Sequence, residues 1–303
     1  MKIATYLTDD EADSLHFNAE DLTPLKQAFP GATIRHHQTS ATFLEDAQDV
    51  DTVLTWHFEA DWYRNFPNLT AIYTPAAGGD WVAEDPSGGI PVIHGSFHGP
   101  ILAESLLSAL LFMNHRMPAM IRNHQARQWD RKLQGGTRLL ATQSILIIGM
   151  GNIGAYCAKL LAPLAREIIG VRQRADANTK GVSELPQLLP NADHVILLLP
   201  GIDETNRFMN KERLAHMKQG SYIYNFGRGN SLHAVDLIPA LDRLAGAFLD
   251  VTETEPLPTG SPLWKHEKVF ITPHSSCMYE DYTERYMMEV ISQMTRDSKG
   301  LSQ

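Results

Sequence analysis

One short segment constrains the fold of this chain more than any other. The apolar run Ile145–Ile148 leads directly into a glycine-rich turn, Gly149-Met150-Gly151-Asn152-Ile153-Gly154. Helix-forming residues, Ala155–Leu161, follow the turn without interruption. A strand, a G-x-G-x-x-G turn and a helix in this order are typical of the βαβ unit that binds a dinucleotide. The segment therefore predicts an α/β domain built on a parallel sheet.

Each glycine of this turn pattern has a physical reason. Gly149 permits the tight turn, Gly151 lets the backbone approach a pyrophosphate, and Gly154 lets helix and strand pack closely. The helix that begins near Asn152 and Ile153 presents unpaired N–H groups and the positive end of its dipole to phosphate. We therefore predict that these five residues bind the cofactor. The alternative is a turn that only reverses the chain.

The next predicted strand, Ile168–Val171, ends where the ribose of a cofactor would be recognised. NAD-dependent enzymes place an acidic residue there, roughly 20 residues after the glycines. This chain has Arg172 at that position and Arg174 two residues later. Guanidinium groups pair with a 2′-phosphate, whereas a carboxylate would repel it. The sequence favours NADPH over NADH, unless both arginines are only solvated surface charges.

The rest of the sequence alternates short strands with helices, as α/β proteins do. With 303 residues, the chain is longer than one hydrophobic core usually organises, so we expect two domains. The predicted strands of the first third are Lys2–Leu7, Thr33–His36, Thr52–Trp56, Ala71–Thr74 and Pro91–His94. The later ones, besides those at the glycine turn, are His194–Leu199, Tyr222–Asn225, Ala247–Val251 and Val269–Thr272. We also predict one long helix, about Ile101–Arg131, that crosses between the domains, and a final helix, Asp281–Met294, that returns to the first domain.

Composition and charge argue against several classes of partner. The net charge is −9, whereas nucleic acid or an anionic membrane surface would reward clustered Lys and Arg. The longest apolar stretch, Ile101–Met113, is interrupted by Glu104 and two serines, so we expect a buried helix rather than a membrane span. The two cysteines, Cys157 and Cys277, form no disulfide or zinc pattern, which fits a reducing cytoplasm. The 13 histidines show no metal-ligand spacing, so we predict no metal.

Three downstream segments carry the remaining chemistry. They are Tyr224-Asn225-Phe226-Gly227-Arg228-Gly229, Asp250-Val251-Thr252-Glu253-Thr254-Glu255-Pro256-Leu257-Pro258 and Thr272-Pro273-His274. Their order and their separations behind the glycine turn resemble the D-isomer-specific 2-hydroxyacid dehydrogenase family, closest in character to its glyoxylate and hydroxypyruvate reductases. That family has an Asn-x-x-Arg-Gly strand end, an Asp-Val…Glu-Pro-Leu-Pro turn and a Thr-Pro-His. The resemblance spans roughly residues 56–276.

The resemblance implies a catalytic set of Arg228, Glu255 and His274. Histidine, with an unperturbed pKa of about 6.5, suits the donation of a proton to the alkoxide that forms when a 2-oxo acid receives hydride. A neighbouring carboxylate, here Glu255 with Glu253 as the competing choice, would stabilise the imidazolium. Arg228 would pair with the substrate carboxylate and polarise the carbonyl. Taken singly, each has a plainer interpretation: a surface histidine, turn chemistry before a proline, or a helix-capping arginine.

The same resemblance implies further contacts. Asp250 is similar to the family residue that bonds the nicotinamide carboxamide, and Pro200 lies in a segment similar to one that contacts the cofactor. The loop Ala77-Gly78-Gly79 looks like the family's loop whose backbone N–H groups hold the substrate carboxylate, with a plain turn as the alternative. Trp56 resembles an aromatic wall of the substrate pocket, although a tryptophan at a strand end is more often part of the core.

The chain departs from the family pattern in two places. After Pro200 the usual threonine is absent and Gly201-Ile202-Asp203 stands instead, which puts the cofactor contacts there in doubt. After Arg228-Gly229 the usual acidic pair is replaced by His233-Ala234. Neither departure touches the three catalytic positions.

Together these features predict two doubly wound parallel-sheet domains. A Rossmann-type cofactor domain, residues 98–274, would be inserted in a flavodoxin-like substrate domain, residues 1–97 and 275–303. The active site would lie in the cleft, where hinge closure would expel water. We expect a cytoplasmic homodimer that reduces a small 2-oxo acid, such as glyoxylate or hydroxypyruvate, to the D-2-hydroxy acid with NADPH. The alternatives are an NAD-linked oxidation of a D-2-hydroxy acid and a dinucleotide-sensing regulatory protein with little turnover.

Overall fold

The chain forms two compact units. The computed structural model describes residues 1–8, 15–298 and 300, with the side chains of residues 134 and 135 left aside. The first unit comprises Met1–His98 and Met278–Gln303, and the second comprises Gly99–Cys277. Residues 9–14, 299 and 301–303, which we predicted to belong to the substrate domain, lie outside the described residues. Within the described ranges, no helix is both long and apolar enough to cross a membrane.

The first unit is built on a five-stranded, wholly parallel sheet with the strand order β2-β1-β3-β4-β5. The strands are β1 Lys2–Tyr6, β2 Thr33–His37, β3 Thr52–Thr55, β4 Ala71–Thr74 and β5 Val92–His94. Strand β3 is buried along its whole length, as central strands of parallel sheets are. The order reverses between β1 and β3, and ligands of such sheets bind outside the carboxyl ends of the strands at this switch point.

The second unit holds a seven-stranded parallel sheet with the order β12-β11-β10-β9-β6-β7-β8. The strands are β6 Ser144–Ile148, β7 Glu167–Arg172, β8 Lys180–Gly181, β9 His194–Leu197, β10 Tyr222–Asn225, β11 Gly246–Leu249 and β12 Val269–Ile271. Counted from β6, this is the doubly wound order of dinucleotide-binding domains, extended by one strand. The predicted fold class is confirmed.

The core of the second unit explains why its strands have continuous apolar runs. Along β6, Ile145 and Ile147 pack into one hydrophobic cluster, whereas Leu146 and Ile148 pack into another. Every residue of the strand is therefore buried, because helices cover both faces of a parallel sheet. Burying each such side chain contributes roughly 1.5–3 kcal/mol. The glycine turn thus follows a strand that is buried along its whole length.

The helices follow the predicted alternation. They are α1 Thr23–Ala28, α2 Ser40–Glu45, α3 His98–Asn114, α4 Met117–Gln125, α5 Asn152–Leu161, α6 Leu185–Leu188, α7 Lys211–His216, α8 Ala234–Ala240 and α9 Tyr282–Ser298. Helix α9 packs within the first unit, where Tyr73 donates a hydrogen bond to Asp297 at 2.6 Å.

Two details of the predicted elements differ from the structure. The single helix predicted over Ile101–Arg131 is wrong, because α3 ends at Asn114 and Arg116 adopts a left-handed conformation with φ 54° before α4 begins. Pro118, near the start of α4, lacks the N–H that a continuous helix would need. Leucine and methionine keep their helical spacing on both sides of the break, so the pattern concealed it. The two-residue strand β8 was not predicted, since it is too short to show a period.

Candidate active site

The glycine turn has the geometry that a dinucleotide requires. Gly149 has φ 110°, and its N–H bonds the carbonyl of Val171 at 3.0 Å. A Cβ atom on Gly149 would overlap the carbonyl oxygen of Leu198, so both conformation and space demand glycine. Around Gly151, by contrast, no atom of the described residues other than its chain neighbours lies within 4 Å of the position that a Cβ would occupy. Helix α5 begins at Asn152, so its unpaired N–H groups border this open space.

The two arginines predicted to read the ribose lie at the end of β7. Arg172 is half-exposed and its Nη1 pairs with Asp176 at 3.0 Å, while Arg174 is exposed. Hydrogen bonds from the backbone of Asn178, the side chain of Thr179 and Arg172 lower the pKa of Asp176 to about 2. A guanidinium group therefore lies at the end of β7, and an ionised carboxylate already holds one edge of it.

His274 and Glu255 form the central pair of the site. The Nδ1 atom of His274 lies 2.8 Å from Oε2 of Glu255, and Oε1 accepts the N–H of Thr252 at 2.8 Å. Partial burial opposes ionisation of Glu255, but hydrogen bonds from His274 and Thr252 and the positive charge of Arg228 outweigh it, so the pKa of Glu255 lies below its ordinary value. Glu253, the competing choice, instead lies 3.1 Å from His233.

His274 is held in an unusual backbone conformation. Its φ is 50°, in the left-handed region that non-glycine residues rarely adopt. The N–H of His274 donates to the carbonyls of Asp250 (2.8 Å) and Thr272 (3.0 Å). Such backbone strain is tolerated only where the surroundings fix it, and here the fixing groups come from the ends of β11 and β12.

Asp250, predicted to contact the nicotinamide, is buried and organises the segment around His274. Its Oδ1 accepts hydrogen bonds from the hydroxyl of Thr272 at 2.6 Å and the N–H of Ser275 at 3.0 Å. Its Oδ2 accepts the N–H of Ser276 at 3.2 Å. The sequence reasoning missed this supporting role; the signal was the Asp-Val strand end at the same sheet edge as Thr-Pro-His-Ser-Ser.

Arg228 lies where three segments of the second unit meet. Its carbonyl accepts hydrogen bonds from Nδ2 of Asn225 at 3.2 Å and from the hydroxyl of Ser231 at 2.9 Å. A Cβ atom on the next residue, Gly229, would overlap the backbone carbonyl of Thr252, so the turn of Arg228 rests directly on the turn of Glu255. The positive charge of Arg228 helps to lower the pKa of the Glu255 carboxyl.

Pro200 lies on the loop after β9. Its carbonyl accepts the hydroxyl of Thr205 at 2.5 Å, and the same hydroxyl contacts the carbonyl of Ile202 at 2.8 Å. The loop that departs from the family pattern is thus ordered by its own threonine, four residues further along than the one it lacks.

The residues predicted to bind substrate lie in the first unit, at the carboxyl edge of its sheet. The loop Ala77-Gly78-Gly79 follows β4, and among the residues that the structure describes no atom beyond the chain neighbours lies within 4 Å of a Cβ built on Gly79. Trp56 follows β3, is 8% exposed, and donates its indole N–H to the carbonyl of Leu15 at 2.9 Å. Its ring stacks on Tyr282 and tilts against Trp81, which is 39% exposed. Trp81 is the more accessible indole, and sequence reasoning did not select it.

Comparison with known proteins is consistent across sequence and structure. Residues 107–276 match the family model described as "D-isomer specific 2-hydroxyacid dehydrogenase, NAD binding domain". The chain is 30% identical over 280 residues to glyoxylate/hydroxypyruvate reductase A of Serratia proteamaculans, covering 85% of each. It is 31% identical over 250 residues to glyoxylate reductase of Thermofilum pendens, covering 76% of this chain and 73% of the relative. A crystal structure of a D-isomer specific 2-hydroxyacid dehydrogenase from Xanthobacter autotrophicus, in complex with NADPH and MES, aligns with a TM-score of 0.84 and 26% identity over 99% of this chain and 96% of that one.

Proposed function

The chain belongs to the D-isomer-specific 2-hydroxyacid dehydrogenase family of NAD(P)-dependent oxidoreductases, and we propose that it uses NADPH to reduce a small 2-oxo acid, such as glyoxylate or hydroxypyruvate, to the D-2-hydroxy acid. The observation that carries this proposal is the 2.8 Å contact between His274 and Glu255 beside Arg228. A proton donor, the carboxylate that orients it and a cation for the substrate are the groups that 2-oxo acid reduction requires.

In this proposal His274 is the general acid. The nicotinamide supplies the hydride when it is bound. Because Nδ1 of His274 faces Glu255, its Nε2 is the ring nitrogen that gives a proton to the developing alkoxide. General acid catalysis of this kind contributes roughly 10²–10⁴-fold to the rate. Glu255 fixes the ring orientation and stabilises the imidazolium before the proton leaves.

Arg228 is proposed to bind the substrate carboxylate. A guanidinium forms two parallel hydrogen bonds with a carboxylate, so it fixes both position and orientation. The same charge polarises the adjacent carbonyl, which lowers the barrier to attack on the carbonyl carbon. The backbone N–H groups of Ala77-Gly78-Gly79 and the aromatic surface that includes Trp56 are proposed as the substrate-binding part of the first unit.

The preference for NADPH rests on Arg172 and Arg174. A 2′-phosphate would form charge-assisted hydrogen bonds with these guanidinium groups. The open space at Gly151 and the N-terminus of α5, whose first turn holds Asn152, Ile153 and Gly154, fit the pyrophosphate, and Pro200 and Asp250 are proposed near the nicotinamide end. The NADPH bound in the Xanthobacter relative supports the same choice.

We further propose that the chain acts as a cytoplasmic homodimer. Two free cysteines fit a reducing compartment. Helix α4 buries none of its own residues, and the second unit exposes a set of large apolar side chains that a partner subunit would cover. They are Leu111, Met117, Ile121, Trp129, Leu139 and Trp264. In this proposal residues 98–274 form the cofactor domain and residues 1–97 and 275–303 the substrate domain.

The proposal is tested by assaying a panel of 2-oxo acids at the absorbance of the reduced nicotinamide, with NADPH and NADH side by side. We expect turnover of glyoxylate or hydroxypyruvate, faster with NADPH. His274→Ala should remove most of this activity while NADPH binding stays nearly intact. Absence of turnover with every acid would contradict the enzyme proposal, and equal kcat/KM with NADH would contradict the cofactor preference.

A further inference from the structure

The two places where the sequence departs from the family pattern lie on the segments that follow two neighbouring strands, and Arg228 lies on the second of these segments. One is the loop Gly201-Ile202-Asp203 after β9, and the other is His233 after β10. Strands β9, β10 and β11 are neighbours in the sheet, so the three turns at their carboxyl ends are brought together. A Cβ atom on Gly201 would lie 3.2 Å from Cγ of Arg228, which puts the first departure in contact with the arginine itself.

His233 connects these three turns. Its Nδ1 lies 3.1 Å from Oε2 of Glu253, on the turn after β11 that also carries Glu255. Its Nε2 lies 3.1 Å from Oδ1 of Asn206, on the loop after β9. Both ring nitrogens therefore face oxygen atoms of other segments, so the ring spans from the loop after β9 to the turn after β11. The side chain is 26% exposed, so this is a partly sheltered bridge between separate segments.

Backbone contacts also join the three turns after β9, β10 and β11, so the His233 bridge acts on segments that already touch. The N–H of Arg207 donates to the carbonyl of Asn230 at 2.6 Å, which joins the loop after β9 to the turn after β10. Gly229 rests on the backbone of Thr252, which joins that turn to the one after β11. Arg228 lies between the two joints. A displacement at the Arg207–Asn230 hydrogen bond or at the Gly229–Thr252 contact therefore reaches Arg228 through the main chain.

The charged groups around His233 come from every element packed against it. Glu253, on the turn after β11, lies 3.1 Å from Nδ1 of His233, and Asp236 places a second carboxylate near the ring from α8. Arg207, from the loop after β9, offsets part of this charge, but it is engaged by Asp236 through a two-bond pair of 2.5 and 3.0 Å. The environment of His233 thus favours the bridge.

We propose that His233 is a positioning residue for Arg228: by bridging Glu253 and Asn206, it fixes the turns on either side of the arginine. This inference rests on the substrate-binding role proposed above for Arg228. His233 does not touch the reacting atoms. It determines how well Arg228 is aligned with the substrate carboxylate, and its loss raises the KM for the 2-oxo acid more than it lowers kcat.

The kinetic test compares His233→Gln, Glu253→Gln and the double variant with wild type in the full-length protein. We expect each single change to raise the KM for the 2-oxo acid by about tenfold, with the KM for NADPH within about twofold of wild type. The double variant should be no worse than either single one, because both remove the same bridge. His233→Lys, which restores a cation opposite Glu253, should recover part of the loss. His216→Gln, at an exposed histidine of α7 whose Nδ1 lies 2.8 Å from the Glu212 carbonyl of its own helix, is the matched control and should behave as wild type.

A second measurement needs no turnover. The Nε–H signal of Arg228 in a ¹H–¹⁵N NMR spectrum, assigned by its disappearance in Arg228→Gln, should shift in His233→Gln and Glu253→Gln and stay in place in His216→Gln. An unshifted signal, or an unchanged KM in an active His233→Gln enzyme, would overturn the inference. If wild type reduces no 2-oxo acid, the proposed function fails by itself, and the NMR signal still decides whether His233 positions Arg228.

Discussion

The N–H of His274 donates a hydrogen bond to the carbonyl of Asp250 at 2.8 Å, and the side chain of the same aspartate accepts bonds from both sides of the histidine. The proposed proton donor is therefore clamped at φ 50° by one buried residue on the neighbouring strand end. The position of the imidazole is determined by main chain on one side and by Glu255 on the other.

Asp250→Asn tests this clamp. An amide has one accepting oxygen, so at least one donor among Thr272, Ser275 and Ser276 is left facing an N–H₂ group in a buried place. We expect the free energy of unfolding in urea to fall by about 2 kcal/mol, and kcat to fall with it as His274 relaxes. Thr272→Val, which removes a single donor, should cost less. An Asp250→Asn protein with wild-type stability would indicate that the aspartate serves the cofactor alone.

Gly151→Ala separates folding from cofactor binding. Since, apart from the chain neighbours, no atom in the described part of the chain lies within 4 Å of the new Cβ, we expect an unchanged melting temperature. The methyl group would nevertheless stand where a pyrophosphate approaches the backbone, so NADPH affinity, measured by fluorescence titration, should fall by at least about tenfold. Gly260→Ala, equally unobstructed but outside the turn, is the control for both measurements. Unchanged NADPH affinity in Gly151→Ala would place the pyrophosphate elsewhere.

Arg172→Ala tests the cofactor preference. Loss of a charge-assisted pair with the 2′-phosphate should raise the KM for NADPH by about 10- to 100-fold, while the KM for NADH changes little. Asp176→Asn removes the carboxylate that holds Arg172 at 3.0 Å and repels phosphate, so it should lower the KM for NADPH. Parallel changes for both cofactors in Arg172→Ala would mean that the arginine does not read the phosphate.

His194 makes the second unit sensitive to acid. It is fully buried on β9, its Nδ1 bonds the hydroxyl of Tyr224 at 3.0 Å, and its Nε2 has no hydrogen-bond partner among the described residues. Burial lowers the pKa of His194 from 6.5 to about 4. Between these values the unfolded chain binds the proton and the folded one does not, so stability is complete above the unfolded pKa and is lost as pH falls toward 4.

Between the unfolded and the folded pKa of His194, the free energy of unfolding falls by on the order of 3 kcal/mol. We expect His194→Phe to flatten the dependence of the unfolding free energy on pH between 7 and 5, whatever its effect at neutral pH. His216→Phe, at an exposed position, should keep the wild-type slope. An equal slope in His194→Phe and wild type would show that other groups account for the acid sensitivity.

The sequence was most informative where one local signal determines the structure. Strand β6 and the turn at Gly149 could be predicted because burial on both faces gives an uninterrupted apolar run and because the close approach of Leu198 requires glycine. The break at Arg116 could not, since the apolar spacing continues across it. The pairing of Glu255 rather than Glu253 with His274 was favoured only by resemblance.

Contacts between distant turns were beyond the reach of sequence patterns. The bridge from His233 to Glu253 and Asn206 depends on three loops separated by about 20–30 residues each, and it exists only once β9, β10 and β11 lie side by side. Likewise, the burial of Trp56 between Tyr282 and Trp81 depends on the return of α9 to the first unit. Such contacts depend on which strands and helices become neighbours in the fold, and the type of any one residue does not indicate this.

The contact of Gly229 with the backbone of Thr252 has a consequence for selectivity. At this contact the turn of Arg228, the proposed carboxylate anchor, meets the turn of Glu255 through main chain. The spacing between the anchor and the carboxylate that orients the proposed proton donor is therefore held by backbone as well as by the His233 bridge. A molecule whose carboxylate and ketone are adjacent meets both groups at once, whereas one additional methylene between them misaligns one of the two. We therefore expect discrimination against 3-oxo acids to survive replacement of the side chains that line the pocket, and to weaken when this backbone contact or the His233 bridge is disturbed.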